Sequence, residues 1–430
     1  MSHSLRIGMS MKNIMRNTLA ISVLAAISQT AMANTQAQEI EQLRQEVNAL
    51  KALIQAQQQT AVVVNTSPTQ AVVEQQKQKP KLLSGAEVSL YGNVRLDASY
   101  QTEGSAASRM YNNINKVPLE GQAEASERLK STLSATRLGM DVKTQIHDQT
   151  VAGKIEVDFL GGAGLDNLRV RHAYLNYANW LIGQTWSNFA IPDYMPETID
   201  ALGYVGGAVK RTPQVRYTHH FSPTTNLVLA AEDPKDASIN LQTPALTARL
   251  NHQINDAGKL SLRSMLNEKP IQQDETWAWG VGLGLQYKIH PQTTLKVDYY
   301  HVKGDSSFVS WTNPGFSLNA SGKIEDENEF DSITVGLTQQ FNEKWRGTLG
   351  VGYMQADISE AYKQGFSSAE LQGINDQQWQ AWANVFYSPI KPVSFGLEYV
   401  YGEREAVGST TQDHNIGEDN RFNAVAIYSF

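Results

Sequence analysis

The chain has 430 residues, 41% hydrophobic and 18% charged, with a formal net charge of −7 and no cysteine. Its mean hydropathy of −0.38 excludes a helical membrane protein, which needs runs of about 20 apolar residues. The missing cysteines exclude a disulfide scaffold, and nothing in the acidic balance suits a nucleic-acid partner.

Lys12 and Arg16 precede an apolar stretch from Leu19 to Ile27, and Ala31-Met32-Ala33 supplies a small-residue cleavage site. The pattern predicts a secretory signal peptide over 1–33. Its removal takes away Arg6, Lys12 and Arg16 and no acid, leaving a mature net charge of about −10. Over 34–59, Ile40, Leu43, Val47, Leu50 and Ile54 recur at intervals of 3, 4, 3 and 4, the seam of a coiled coil. Glu39 with Arg44 and Glu46 with Lys51 are spaced as pairs between parallel neighbours. That spacing favours an oligomeric periplasmic stalk over one amphipathic helix lying on a surface. The mixture of Ile or Val with Leu on the seam is typical of two strands, not three. Residues 60–86, rich in Gln, Val, Thr, Pro and Lys without a period, predict a linker.

From 87 to 430 the chain alternates. Val88, Leu90, Val94, Leu96 and Ala98 interleave with Ser89, Tyr91, Asn93, Arg95, Asp97 and Ser99, and the last segment carries Phe422, Ala424, Ala426, Tyr428 and Phe430 on one parity. Strand geometry turns each parity into a face. Sixteen such segments are predicted, at 88–100, 129–144, 150–161, 168–178, 180–188, 213–221, 226–232, 244–253, 258–268, 276–289, 293–304, 329–341, 345–357, 376–388, 392–404 and 419–430. Their connections alternate between tight turns, such as His147-Asp148 and His290-Pro291, and long loops, such as 101–128, 189–212 and 305–328. Short turns at one rim and long loops at the other predict an all-β, antiparallel transmembrane barrel of the bacterial outer membrane. A soluble sandwich has no reason to sort its loops in this way. Tyr100, Tyr174, Tyr177, Trp180, Trp279, Tyr287, Tyr299, Trp345, Tyr387 and Tyr399 are candidates for interfacial girdles.

With the apolar parity turned outward, the lumen receives about twice as many basic as acidic groups. Arg95, Arg137, Arg169, Arg171, Arg216, Arg249 and Arg263 are its candidate pore-lining arginines. Arg169 and Arg171 have no acid within their own strand, whereas Arg95 has Asp97 beside it. Acids gather instead in the loops, among them Asp193, Glu197 and Asp200. A basic wall in a wet pore attracts anions. The connection Asn188 to Thr212 is long, apolar and Gly-rich, which suits a segment folded into the lumen better than one in water. So placed, it narrows the pore and brings Lys210 and Arg211 to the wall.

The stretches L-R-V-R-H-A-Y-L (168–175), G-Q-T-W-S-N-F (183–189) and R-T-P-Q-V-R-Y (211–217), with the terminal Phe430 and the N-terminal heptads, resemble the DcaP-type outer-membrane porins over essentially the whole mature chain. The resemblance implies a sixteen-stranded trimeric porin taking up small dicarboxylates. It implies that G-Q-T-W-S ends the strand before an inward-folded loop. It places Arg169, Arg171, Arg211 and Arg216 on the basic side of the constriction, and makes Phe430 the signal read by the barrel-assembly machinery. Expected partners are therefore outer-membrane lipid and lipopolysaccharide, further copies of the chain, that machinery and small anionic solutes.

An enzyme would need a nucleophile, a base and an acid converging on one point. His147, His172, His219, His220, His252, His290, His301 and His414 are scattered along the chain, and no metal-ligand spacing is present, so no cofactor or metal is expected. A general or carbohydrate-type diffusion porin, and a tether using the coiled coil, remain alternative readings.

Overall fold

A period of two gives each strand one apolar and one polar face, and sixteen such strands close into one antiparallel barrel in the computed structural model. The structure describes residues 85–104, 114–124, 126–162, 166–201, 205–236, 242–271, 274–309, 313–410 and 414–430. The predicted signal peptide, the seam Ile40, Leu43, Val47, Leu50 and Ile54, and nearly all of the linker lie outside the described residues.

The strands are β1 (Glu87–Glu103), β2 in two pieces (Arg128–Thr132 and Arg137–Ile146), β3 (Gln149–Gly161), β4 (Asn167–Tyr177), β5 (Trp180–Trp186), β6 (Arg211–Ser222), β7 (Thr225–Glu232) and β8 (Ala245–Asn255). They continue as β9 (Gly258–Ile271), β10 (Asp274–His290), β11 (Thr293–Lys303), β12 (Glu329–Gln340), β13 (Trp345–Asp357), β14 (Asn375–Ile390), β15 (Val393–Ala406) and β16 (Ile416–Ser429). All sixteen predicted segments are present, each within three residues of its expected ends. One differs in kind, because β2 is interrupted by a turn at 133–136, where Thr136 N–H donates to Leu133 O at 2.9 Å. There the Thr136 hydroxyl accepts from Arg95 N at 3.1 Å and stands in for the missing ladder bond.

Closure comes from β1 against β16, in register from Asn93 opposite Ser429 to Tyr100 opposite Phe422. The C-terminal residue continues it, with Gly92 N–H to Phe430 O at 3.1 Å and Phe430 N–H to Gly92 O at 3.0 Å. The predicted apolar parity faces outward: Leu90 is 73% exposed and Leu283 45%. Trp180, Trp279, Trp345, Tyr177 and Tyr399 lie on that outer surface. Tyr174 does not belong with them, because β4 carries a bulge. Glu156 pairs with His172 but Val157 with Val170, so Arg171 is the extra residue. Arg171 and His172 are both buried, and parity is inverted after the bulge, which turns Tyr174 inward.

The described part of the β5–β6 connection, residues 187–201 and 205–210, lies inside the barrel against the wall. Its amides and carbonyls find partners there. Asn188 N–H donates to Glu232 of β7 at 2.7 Å, and Lys296 of β11 donates to Met195 O at 2.9 Å. Trp382 and Asn384 of β14 reach Glu197 O at 3.0 and 2.9 Å, and Ile199 N–H meets Glu398 of β15 at 2.8 Å. Arg95 of β1 closes the series on Ile199 O at 2.5 Å. Wall glycines make room for this path. A Cβ at Gly284 would stand 2.2 Å from the Tyr194 ring, and one at Gly352 would stand 1.8 Å from Val205 O. Where the loops gather, Phe189, Val205, Ala208, Tyr300, Val302, Phe308, Phe330 and Met354 form an apolar cluster inside the barrel. The hydrophobic core of this fold is therefore between loop and wall.

Two consequences can be measured. Leu262→Arg and Leu283→Arg set a charge against hydrocarbon and should destabilise the barrel by roughly 2–4 kcal/mol at mid-depth, while Lys143→Gln, on the lumen parity, should leave it unchanged. Urea titration of the protein refolded into vesicles decides, and equal effects at both kinds of position would invert the face assignment. Gly352→Ala should leave folding yield intact yet unseat the inner loop, because the obstructing atom is backbone, and give a lower, noisier single-channel conductance.

Candidate solute path in the lumen

The wall from β2 to β8 is where the path must be sought, because the inner loop anchors mainly along β9 to β16 and β1. Local sequence builds this wall through the G-Q-T-W-S segment. Gly183 has φ +130°, and a Cβ there would stand 2.3 Å from Ala173 O, so only glycine fits this close approach of β5 to β4. The pairing of β4 with β5 ends at Ala173 opposite Gln184. Beyond it the Gln184 side chain donates to Val170 O at 2.7 Å, and the chain turns inward after Trp186.

Half of the predicted arginines on this wall are paired. Arg169 and Arg171, which have no acid on β4, face the acids of β3. Arg169 bonds Asp158 at 2.7 and 2.9 Å. Arg171 bonds Glu156 at 2.5 Å and Asp158 at 2.9 Å. The expectation that these two are the uncompensated arginines is therefore corrected, since cross-strand register supplies the acids that the strand itself lacks. Arg137 lies 3.4 Å from Glu156. Lys154 bonds Asp141 at 3.0 Å and Tyr91 at 2.9 Å. Arg95 is held by Asp97. Arg263 is 1% exposed and bonded to Asp298 and Tyr300 beneath the inner loop, so it supports the loop and does not line a passage.

The loop acids are similarly engaged. Glu197 makes a two-pronged pair with Arg346 at 2.9 and 2.7 Å, and Asp200 bonds Arg421 at 2.8 Å. Both fix the loop to the far wall. Asp193 stays half exposed, with Lys259 at 3.7 Å. Lys210 donates to Ser307 O at 2.6 Å, with Phe308 under its ammonium at 5.0 Å.

Arg211, Arg216 and Arg249 are left. The Arg211 guanidinium carbon lies over the Trp186 indole, 3.8 Å from the ring centroid, and the group is an electrostatic neighbour of Arg171, Arg169 and Arg137. Arg216 donates to Trp186 O at 2.6 Å and is repelled by Arg249. Among the described residues none of the three has a carboxylate within ion-pair distance, and each has a buried Nε without a hydrogen-bond partner. Cationic groups in such a state attract small anions, and the arginine fork suits carboxylates in particular. Sequence reasoning missed Trp186 and His172 as parts of this wall. The strand-terminal place of Trp186 between two arginine-bearing motifs was the available signal.

The model of the DcaP outer membrane protein family matches residues 19–430. A search of the curated proteins finds no match. Among solved structures, the outer membrane channel DcaP of Acinetobacter baumannii is 36% identical with a TM-score of 0.73, over 82% of this chain and 99% of that one. OmpT of Vibrio cholerae, at 14% identity and a TM-score of 0.52 over 82% and 100% of the two chains, shares the fold alone. OmpF of Salmonella typhi does likewise, at 15% identity and 0.51 over 81% and 98%. A closed barrel with an apolar outer wall, an inward loop and this full-length match leaves one assignment: the chain belongs to the DcaP outer membrane protein family and is an outer-membrane porin.

Proposed function

We propose that this porin is an anion-preferring, water-filled channel for passive uptake of small solutes, dicarboxylates above all. The observation that carries the reading is the set Arg211, Arg216 and Arg249, which among the described residues have no carboxylate within ion-pair distance and each keep an Nε without a hydrogen-bond partner. An arginine–carboxylate contact at 4 Å is worth about 1 kcal/mol in bulk dielectric and about 4 kcal/mol at an effective dielectric near 20. A dianion touching two of them gains a few kcal/mol after dehydration, which corresponds to millimolar to high-micromolar binding. Affinity of that order lets a solute enter and also leave.

The heavy ion pairing of Arg137, Arg169 and Arg171 favours a second reading, a general diffusion pore with weak charge preference. The two part experimentally. Arg211→Glu with Arg249→Glu should move the reversal potential in a salt gradient towards cations and abolish current block by succinate, while neutral sugars pass as before. An unmoved reversal potential with block intact would leave the general pore standing.

The assembly we infer is a homotrimer set in outer-membrane lipid and lipopolysaccharide, its N-terminal heptads forming a periplasmic stalk and Phe430 presenting the signal for the barrel-assembly machinery. The exposed aromatic side chain of Phe430 supports the last point. Deleting residues 34–59 should still give an inserted, conducting barrel, because the closed ladder satisfies its own backbone. Loss of all pore activity on deletion would place that segment in the lumen.

A further inference from the structure

We propose that Trp186 is the positioning residue of the anion path. It presents Arg211 edge-on to planar carboxylates and keeps it from collapsing onto the wall's own acids. The inference deepens the reading above and rests on it.

Trp186 sits where β5 ends, and three arginines converge on it. The Arg211 guanidinium lies over the indole at 3.8 Å, Arg171 is 5.8 Å from the same ring, and Arg216 donates to the Trp186 carbonyl at 2.6 Å. His172 meets the indole edge-on, at 5.7 Å between ring centroids, and Gln214 donates to the same carbonyl at 3.0 Å. Neighbours thus contact both the indole and its backbone. A guanidinium stacked on an aromatic face directs all its N–H bonds sideways in its own plane, and the ring uses none of them. Arg211 has no hydrogen-bond or ion-pair partner among the described residues, and its Nε is buried unpaired. The guanidinium therefore has no protein acceptor to give up before its terminal N–H groups meet a carboxylate in the same plane, which can accept two parallel bonds.

The alternative partner is close. Asp158 is among the electrostatic neighbours of Arg211 and already holds Arg169 and Arg171. A flexible arginine without the stacking face would turn its fork to that carboxylate, leaving the net charge of the wall unchanged. Trp186 so decides whether the fork of Arg211 points into the wall or is offered to solute. The specificity follows from shape. Planar carboxylates match the fork, whereas chloride needs only the local positive field, which no uncharged substitution at 186 alters.

The test uses the full-length porin in planar bilayers, reading block by succinate alongside the potassium–chloride reversal potential and the open conductance. Trp186→Leu should weaken succinate block by about fivefold to tenfold, the range of a partly desolvated cation–π contact. Trp186→Phe, which retains a stacking face, should stay within about twofold of wild type on the same scale. Reversal potential and conductance should not move in either variant. Unchanged block in Trp186→Leu overturns the positioning role. A conductance and reversal potential that shift together with block would show that Trp186 only secures the root of the inner loop, which overturns it as well. If succinate fails to block the wild-type channel, the anion path itself is refuted, and this inference with it.

Discussion

No water reaches the hydrocarbon of a bilayer, so every backbone N–H and C=O that crosses it needs an internal partner. That constraint makes the barrel close, and it explains why the last residue matters. Were β16 and β1 unjoined, two full edges of donors and acceptors would face lipid. The ladder runs instead from Tyr100 opposite Phe422 to the reciprocal bonds of Gly92 and Phe430. The same rule governs the chain that leaves the wall. The described residues 187–201 and 205–210 have no strand partner across the lumen, so wall side chains must serve their backbone. Glu232, Lys296, Trp382, Asn384, Glu398 and Arg95 each supply one such bond. The lumen is polar partly because it is wet, and partly because an inward loop demands it.

Periodicity carried most of the fold. Parity located sixteen strands, told lipid from lumen, and separated the tight rim from the long-loop rim, because burial on one face enforces a strict period of two. The inward path of 188–212 was legible too, from apolar and Gly-rich composition. Register across strands was not legible. A single strand's pattern does not say which residues of its neighbour stand opposite. Arg169 and Arg171 therefore looked uncompensated until Glu156 and Asp158 appeared beside them. The bulge at Arg171 was equally hidden, and with it the inversion that turns Tyr174 from the girdle into the lumen. One extra residue leaves composition unchanged while reversing every face beyond it.

The lumen charges fall into two populations with different physics. Arg263 with Asp298, and Arg421 with Asp200 and Asp419, are almost fully buried. Pairs of this kind hold geometry, because removing one partner strands a charge out of water at a cost of about 3–5 kcal/mol. Such residues fasten the loop. Among the described residues Arg211, Arg216 and Arg249 have no acid of their own; Arg211 lies over the Trp186 ring and Arg216 donates to the Trp186 carbonyl instead. An unpaired charge is expensive in a dry core and far less so beside a wet channel. The sequence list of basic wall residues did not distinguish these roles, since all of them share one parity. Contact with a carboxylate does. An arginine bonded to a buried acid is a structural pin, whereas one with no such acid among the described residues keeps its charge uncompensated.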